Sequence, residues 1–132
     1  MNISISVLIL TYNERLHIER CIKSAHRISD KIYVVDSYST DGTQEIARRL
    51  GATVVEHDYV NQAQQMQWAI NNLELDTEWV MRMDADEYLT DGLIDEINSR
   101  LPELREEITG VYLPRDVFFQ GKNLKHGRLH AP

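Results

Sequence analysis

The chain has a single cysteine, Cys21, in 132 residues. That excludes an intrachain disulfide and a thiolate metal cluster, and it fits a reducing compartment. No apolar run approaches the roughly 18–20 residues of a membrane-spanning helix. The opening MNISISVLIL has neither a basic n-region nor a cleavage site, so it does not read as a signal peptide. Together these absences predict a cytoplasmic protein. Positive charge is also scarce: the net charge is −7, which argues against a non-specific nucleic-acid binder. Neither G-x-G-x-x-G nor G-x-x-x-x-G-K-[ST] occurs, and there is no Ser or Cys nucleophile motif. No two of His17, His57, His126 and His130 have zinc-ligand spacing supported by other ligands.

What is present fits one soluble domain of ordinary composition, 42% hydrophobic and 27% charged. No linker, repeat or low-complexity segment divides it. The charge is uneven. From Arg115 on there are four basic residues against one acid, net +3, which leaves −10 on the rest. A basic tail beside an acidic body could face an anionic ligand or a membrane surface, which keeps peripheral membrane contact among the expectations.

Apolar runs and helical stripes alternate along the chain. Ile3–Leu10, Lys31–Asp36, Thr53–Glu56, Trp79–Met83 and Thr109–Phe119 read as strands. Stripes at helical spacing fall between them: Ile18, Cys21, Ile22 and Ala25; Ile46, Ala47 and Leu50; Met66, Ala69, Ile70 and Leu73; Leu93, Ile94, Ile97 and Leu101. Asn13, Asp41 and Asp91 are placed to cap helices, and Gly51 to stop one. The order βαβαβαβαβ predicts an α/β fold, a mostly parallel sheet with helices on both faces. Right-handed crossovers then gather the strand-to-helix loops at one edge, where such sheets bind ligands.

The stretch Trp79–Tyr88, WVMRMDADEY, ends a buried strand in three carboxylates, Asp84, Asp86 and Glu87. Clustered negative charge there is costly to fold for structure alone. Alternate strand residues share a face, so Asp84 and Asp86 can point the same way. Hard oxygens of this kind suit Mg²⁺ or Mn²⁺ carrying phosphate. The bland alternative is an acidic cluster favoured by the dipole of the next helix. Asp36, at the end of the second strand, can accept from a ribose or base, while Ser39–Thr43 read mainly as turn and cap. Tyr12 could stack on a base, with Thr11 or Glu14 bonding it. Of the amides between Asn61 and Gln67, most read as a solvated face, and Gln65 is the expected ligand contact. Arg82 reads as a structural partner for an acid on the sheet face. A phosphohydrolase using Asp84 as nucleophile fits poorly, because its motif belongs on a first strand beside a lysine and no lysine lies between Lys31 and Lys122.

Three segments, Val7–Glu14, Val34–Thr43 and Trp79–Glu87, together resemble the family 2 glycosyltransferases of GT-A (Rossmann-like) fold, in order and spacing, over the first ~100 residues. The runs Tyr59–Gln62 and Gly110–Arg115 look most like the bacterial branch that adds glucose to the lipopolysaccharide core. The resemblance implies a UDP-sugar donor, a glycan or glycolipid acceptor, and inverting transfer of a hexose, dependent on Mn²⁺ or Mg²⁺. By position, Thr11, Tyr12 and Glu14 would line the uridine pocket and Asp36 would hold base or ribose. Asp84, with Ala85 beside it, would face ribose and diphosphate, and Asp86 would bind the metal. It also implies one nucleotide-sugar-binding domain over 1–132, with a donor core at 1–107 and the start of an acceptor side at 108–132, cut before the acceptor-binding half. Two departures matter. Ser37 and Tyr38 stand where many members have a second acid and a small residue. The family's general base lies beyond the matched segment, and Asp116 sits too early for that role. His126 is a poor substitute. A UDP-sugar-binding fragment without transfer activity is the alternative.

Overall fold

A computed structural model describes residues 5–77, 79–100, 110–113 and 117–121, the last two stretches as backbone only. The elements are β1 (Ile5–Thr11), α1 (Ile18–Ala25), β2 (Lys31–Asp36), α2 (Thr43–Arg49), β3 (Thr53–Glu56), α3 (Gln62–Asn72), β4 (Trp79–Asp84), α4 (Asp91–Arg100), β5 (Gly110–Leu113) and β6 (Val117–Gly121). One sheet holds all six strands in the order β3-β2-β1-β4-β6-β5. The first four are mutually parallel; β6 runs antiparallel to β4 and β5 antiparallel to β6. The expected mostly parallel α/β sheet is therefore present.

β1 is buried along its whole length because it lies mid-sheet with helices on both faces. On one face, Val7 and Ile9 of β1 and Met81 and Met83 of β4 pack with Ile18, Cys21 and Ile22 of α1, Ala47 of α2, and Ile94 and Ile97 of α4. On the other, Leu8, Leu10, Val35 and Val80 meet Met66 and Ala69 of α3. Each such aliphatic side chain stabilises the fold by roughly 1.5–3 kcal/mol. Gly51, at φ +92°, ends α2 as expected. The next two amides fold back, Gly51 N to Arg48 O and Ala52 N to Ala47 O, the bond pair of a left-handed helix stop.

Four local expectations are corrected. The run Thr109–Phe119 supplies two strands of a hairpin and not one. The sequence carries a reason, since Pro114 falls between the two strands and has no N–H to give to a ladder. Residues 109 and 114–116, Asp116 included, and His126 and His130 lie outside the described residues. Asn13 does not cap α1. That helix starts five residues later, at Ile18, and Asn13 adopts φ +51° to reach the neighbouring loop. Asp91 opens α4 as its first residue and pairs with Arg27, while the Thr90 hydroxyl accepts from Leu93 N at 3.2 Å. β4 runs one residue further than the apolar pattern indicated, to Asp84.

The candidate donor site

Strand order reverses at β1: the chain runs outward through β2 and β3, then returns to place β4 on the other side of β1. Such a switch point opens a crevice at the carboxyl edge of the strands. Register brings the key strand ends together, Thr11 beside Asp36 and Leu10 beside Asp84. A cavity of about 580 Å³ opens there, in the size range of small-molecule sites. Leu10, Thr11, Tyr12 and Glu14 line it from β1 and its loop, and Ser37 from the β2 loop. Tyr59 and Gln62 come from the segment entering α3, and Asp84, Ala85 and Asp86 from the end of β4.

The loop after β1 is fastened to the loop after β2 by four bonds. Asn13 N donates to Ser39 Oγ at 2.7 Å and Thr40 N to Asn13 Oδ1 at 2.8 Å. Glu14 N donates to Thr43 Oγ1 at 3.0 Å and Arg15 N to Asp41 Oδ2 at 3.1 Å. Asp41 Oδ1 also accepts from Thr43 N at 3.0 Å, but the cap position of α2 is Gly42, in a left-handed conformation, so Asp41 closes the turn before the helix and does not itself cap it. Beneath these loops Asp36 is 0% exposed. Its Oδ1 accepts from Thr11 Oγ1 at 2.5 Å and Ser39 Oγ at 2.6 Å; its Oδ2 accepts from Ser39 N and from Gln44 Nε2, both at 2.7 Å. All four acceptor positions of a carboxylate are thus filled from within the protein.

Six expected site residues line the cavity: Thr11, Tyr12, Glu14, Asp84, Ala85 and Asp86. Asp36 and Gln65 do not. Gln65 is 1% exposed, and its amide is engaged by His57 Nδ1 at 2.7 Å, Ser37 Oγ at 3.2 Å and His57 O at 3.3 Å. Both residues brace the loops from behind. Leu10, Ser37, Tyr59 and Gln62 line the cavity as well and were not foreseen. For Gln62 the signal was present, since it stands one helical turn before Gln65 and so on the same side of α3.

Residues Asp84–Glu87 form a turn and not a strand extension, so pleat alternation is not what brings Asp84 and Asp86 to one wall. Glu87 N donates to Asp84 O at 2.9 Å, and Asp84 N donates back to Glu87 Oε1 at 2.7 Å. Glu87 therefore closes the turn. Burial raises its pKa above the usual carboxylate value, the backbone bond from Asp84 works against this, and the charges of Asp84 and Asp86 add to the rise. The turn is docked on α1. Leu89 N donates to Ser24 Oγ at 3.0 Å, and the Arg20 guanidinium lies 4.1 Å over the Tyr88 ring. The Cys21 thiol beneath is pushed far up by burial and by the Glu87 charge, which makes it unreactive.

A raised folded-state carboxyl pKa means stability that is present at low pH and is lost as pH rises through that pKa. Glu87→Gln keeps an acceptor for Asp84 N and removes the charge. It is expected to melt a few degrees above wild type at pH 7 and level with it at pH 3, as followed by circular dichroism. A lower melting temperature at pH 7 would mean that the charge itself holds the turn.

Tyr38 adopts φ +61°. A left-handed conformation costs an L-residue roughly 1–2 kcal/mol, and glycine in its place costs roughly 0.5–1 kcal/mol of chain entropy. The departure from a small residue noted above is thus a departure at a left-handed position. Tyr38→Gly should stabilise the domain by about 0.5–1 kcal/mol in urea denaturation, and a destabilisation would show that the half-exposed ring makes compensating contacts.

The metal fit follows from the donor set. Among the described residues no three His, Cys, Asp or Glu side chains are arranged to hold a metal ion by themselves. Asp84 and Asp86 at an open wall are instead what Mg²⁺ or Mn²⁺ uses when phosphate oxygens complete its shell. No helix among the described residues is long and apolar enough to cross a membrane.

Comparison with solved structures shows the same fold. Glucosyl-3-phosphoglycerate synthase from Mycobacterium tuberculosis, in complex with UDP, superposes with a TM-score of 0.72 at 20% identity, over 93% of this chain and 58% of that one. S. aureus TarS (residues 1–349) gives 0.63 at 22% identity, over 76% of this chain and 32% of that one. In sequence, an uncharacterized glycosyltransferase of Rickettsia bellii is 44% identical over 93 residues, 70% of this chain and 31% of the relative. One of Rickettsia typhi is 42% identical over the same length and shares. The chain therefore spans about a third of the length of these relatives. The model of glycosyl transferase family 2 matches residues 6–131, and the chain belongs to that family.

Proposed function

We propose that the domain binds the UDP part of a nucleotide sugar in the cavity at the β1–β4 switch point and serves inverting transfer of a hexose to a glycan or glycolipid acceptor. The observation that carries this reading is the make-up of the cavity wall. Tyr12 and Tyr59, 59% and 54% exposed, offer aromatic surface for a base, and Asp84 and Asp86 offer carboxylates in the same cavity. A nucleoside diphosphate with its cation needs both. The mycobacterial structure solved with Mn²⁺, UDP and glucosyl-3-phosphoglycerate, 18% identical with a TM-score of 0.69, supports the ligand class.

In this reading Thr11, Tyr12 and Glu14 receive the uridine and Asp84 with Ala85 receives ribose and diphosphate. Asp86 would hold Mn²⁺ or Mg²⁺, which when bound supplies positive charge against the leaving diphosphate. Asp36 and Gln65 act from behind by fixing the loops. In the transfer itself the acceptor hydroxyl oxygen attacks the anomeric carbon, the bond from that carbon to the diphosphate breaks, and a general base takes the hydroxyl proton. Glucose as the sugar and lipopolysaccharide core as the acceptor rest on the Tyr59–Gln62 and Gly110–Arg115 resemblances. Contact with the cytoplasmic face of an inner membrane rests on the basic tail together with that branch, and the division into a donor core, 1–107, and the start of an acceptor side, 108–132, rests on the family resemblance.

A second reading is donor binding without transfer. The acids lining the cavity are Glu14, Asp84 and Asp86, and Glu14 is tied to His17 Nδ1 at 3.1 Å. None of them is free for acceptor activation if Asp84 and Asp86 serve the donor. Calorimetric titration with UDP, with and without Mn²⁺, tests the donor site, and metal-dependent binding is expected. Release of UDP from UDP-glucose with Mn²⁺ and a lipopolysaccharide core acceptor then separates the two readings. Absence of UDP binding sinks both.

A further inference from the structure

Gln62 has an orientation imposed from below. Its Oε1 accepts from Arg82 Nη1 at 2.7 Å, a charge-assisted bond to a guanidinium held in β4 and almost wholly buried. Turning the amide over would set an NH₂ group against a guanidinium, and both groups only donate. The Oε1 end therefore stays on Arg82, and Nε2 faces the cavity. There it reaches Asp84 Oδ1 only at 3.4 Å, beyond the usual 2.7–3.2 Å range of such bonds. An amide nitrogen carries two hydrogens, and the second has no acceptor among the described residues. The Arg82 guanidinium also pairs with Asp84 Oδ1, at 4.0 Å. The backbone that carries Gln62 is also fixed, because Asn61 caps α3 through Gln64 N at 2.8 Å.

We propose that Gln62, oriented by Arg82, donates a hydrogen bond to an anionic oxygen of the bound nucleotide's diphosphate. The inference rests on the nucleotide-sugar reading above and assigns to the site a donor that neither a carboxylate nor a metal ion supplies. The unused amide hydrogen makes this bond, while the other keeps its long contact with Asp84. Gln62 touches the ligand; Arg82 is a positioning residue.

The test titrates wild type, Gln62→Glu and Gln62→Leu with UDP and with uridine, both in Mn²⁺, alongside thermal melts. Gln62→Glu keeps an oxygen against Arg82 and removes the donor, so a purely structural role survives it. About tenfold weaker UDP binding is expected in both variants, with uridine affinity unchanged and Gln62→Glu melting like wild type. UDP affinity that Gln62→Glu leaves intact overturns the inference. So does a loss confined to Gln62→Glu, which is charge repulsion alone, and so does an equal loss for uridine. Wild type that binds no UDP overturns the nucleotide-sugar reading, and this inference with it.

Discussion

Asp86→Ala is expected to remove Mn²⁺-dependent UDP binding while leaving the fold untouched. Asp86 stands exposed in the turn after β4, and among the described residues its carboxylate makes no hydrogen bond or ion pair. Surface substitutions of that kind change stability by no more than about 0.5 kcal/mol. The melting temperature without metal should match wild type or rise slightly, because one of three neighbouring negative charges is gone. Binding is another matter. If Asp86 holds the cation, its loss leaves the diphosphate facing Asp84 without the metal's charge. About a hundredfold loss of UDP affinity in Mn²⁺ is expected, close to 2.7 kcal/mol. Without Mn²⁺ the two proteins should bind UDP equally weakly, so the difference between the two titrations isolates the metal. Equal affinity of mutant and wild type in Mn²⁺ would take the metal role away from Asp86.

The contrast between Asp86 and Asp36 shows how far the sequence could be read. The alternation of strands and helices, and the meeting of three loops at one edge, follow from periodicity, because each buried face has to be apolar. The position of Asp84–Glu87 followed from an apolar strand that ends in charge. Which polar side chains face a ligand and which face one another did not follow. Both Asp36 and Asp84 end a strand, yet hydroxyls and an amide converge on Asp36 from residues as distant as Thr11 and Gln44. Asn13 has the chemistry of a helix cap, but a backbone amide of the β2 loop competes for its side chain and wins. Gln62 and Gln65 share one side of α3, and only the approach of His57 and Ser37 decides that Gln65 is the buried one. These are long-range pairings, to which local propensity is blind.

Asp36→Ala should accordingly be the most destabilising single change at the site, and it should act on the fold. The substitution takes the common acceptor from Thr11 Oγ1, Ser39 N and Ser39 Oγ at a fully buried position, while Gln44 Nε2 keeps Glu56 Oε2 at 2.9 Å. Removing a buried charged acceptor with its donors left behind costs about 3–5 kcal/mol, a drop of roughly 10 °C or more in melting temperature for a domain of this size. The loops after β1 and β2 share these bonds, so their registry fails together. Asp36→Asn separates the charge from the hydrogen bonds. The partners of Oδ1 are two hydroxyls, which can rotate and accept from an amide NH₂, whereas the partners of Oδ2 are N–H groups that can only donate. The asparagine therefore has one satisfactory orientation, with its oxygen toward Ser39 N and Gln44. It should cost only about 1–2 kcal/mol and retain most UDP binding. If Asp36→Asn melts like wild type but loses UDP as completely as Asp86→Ala, then Asp36 meets the nucleotide directly, and its four internal bonds give way to the ligand.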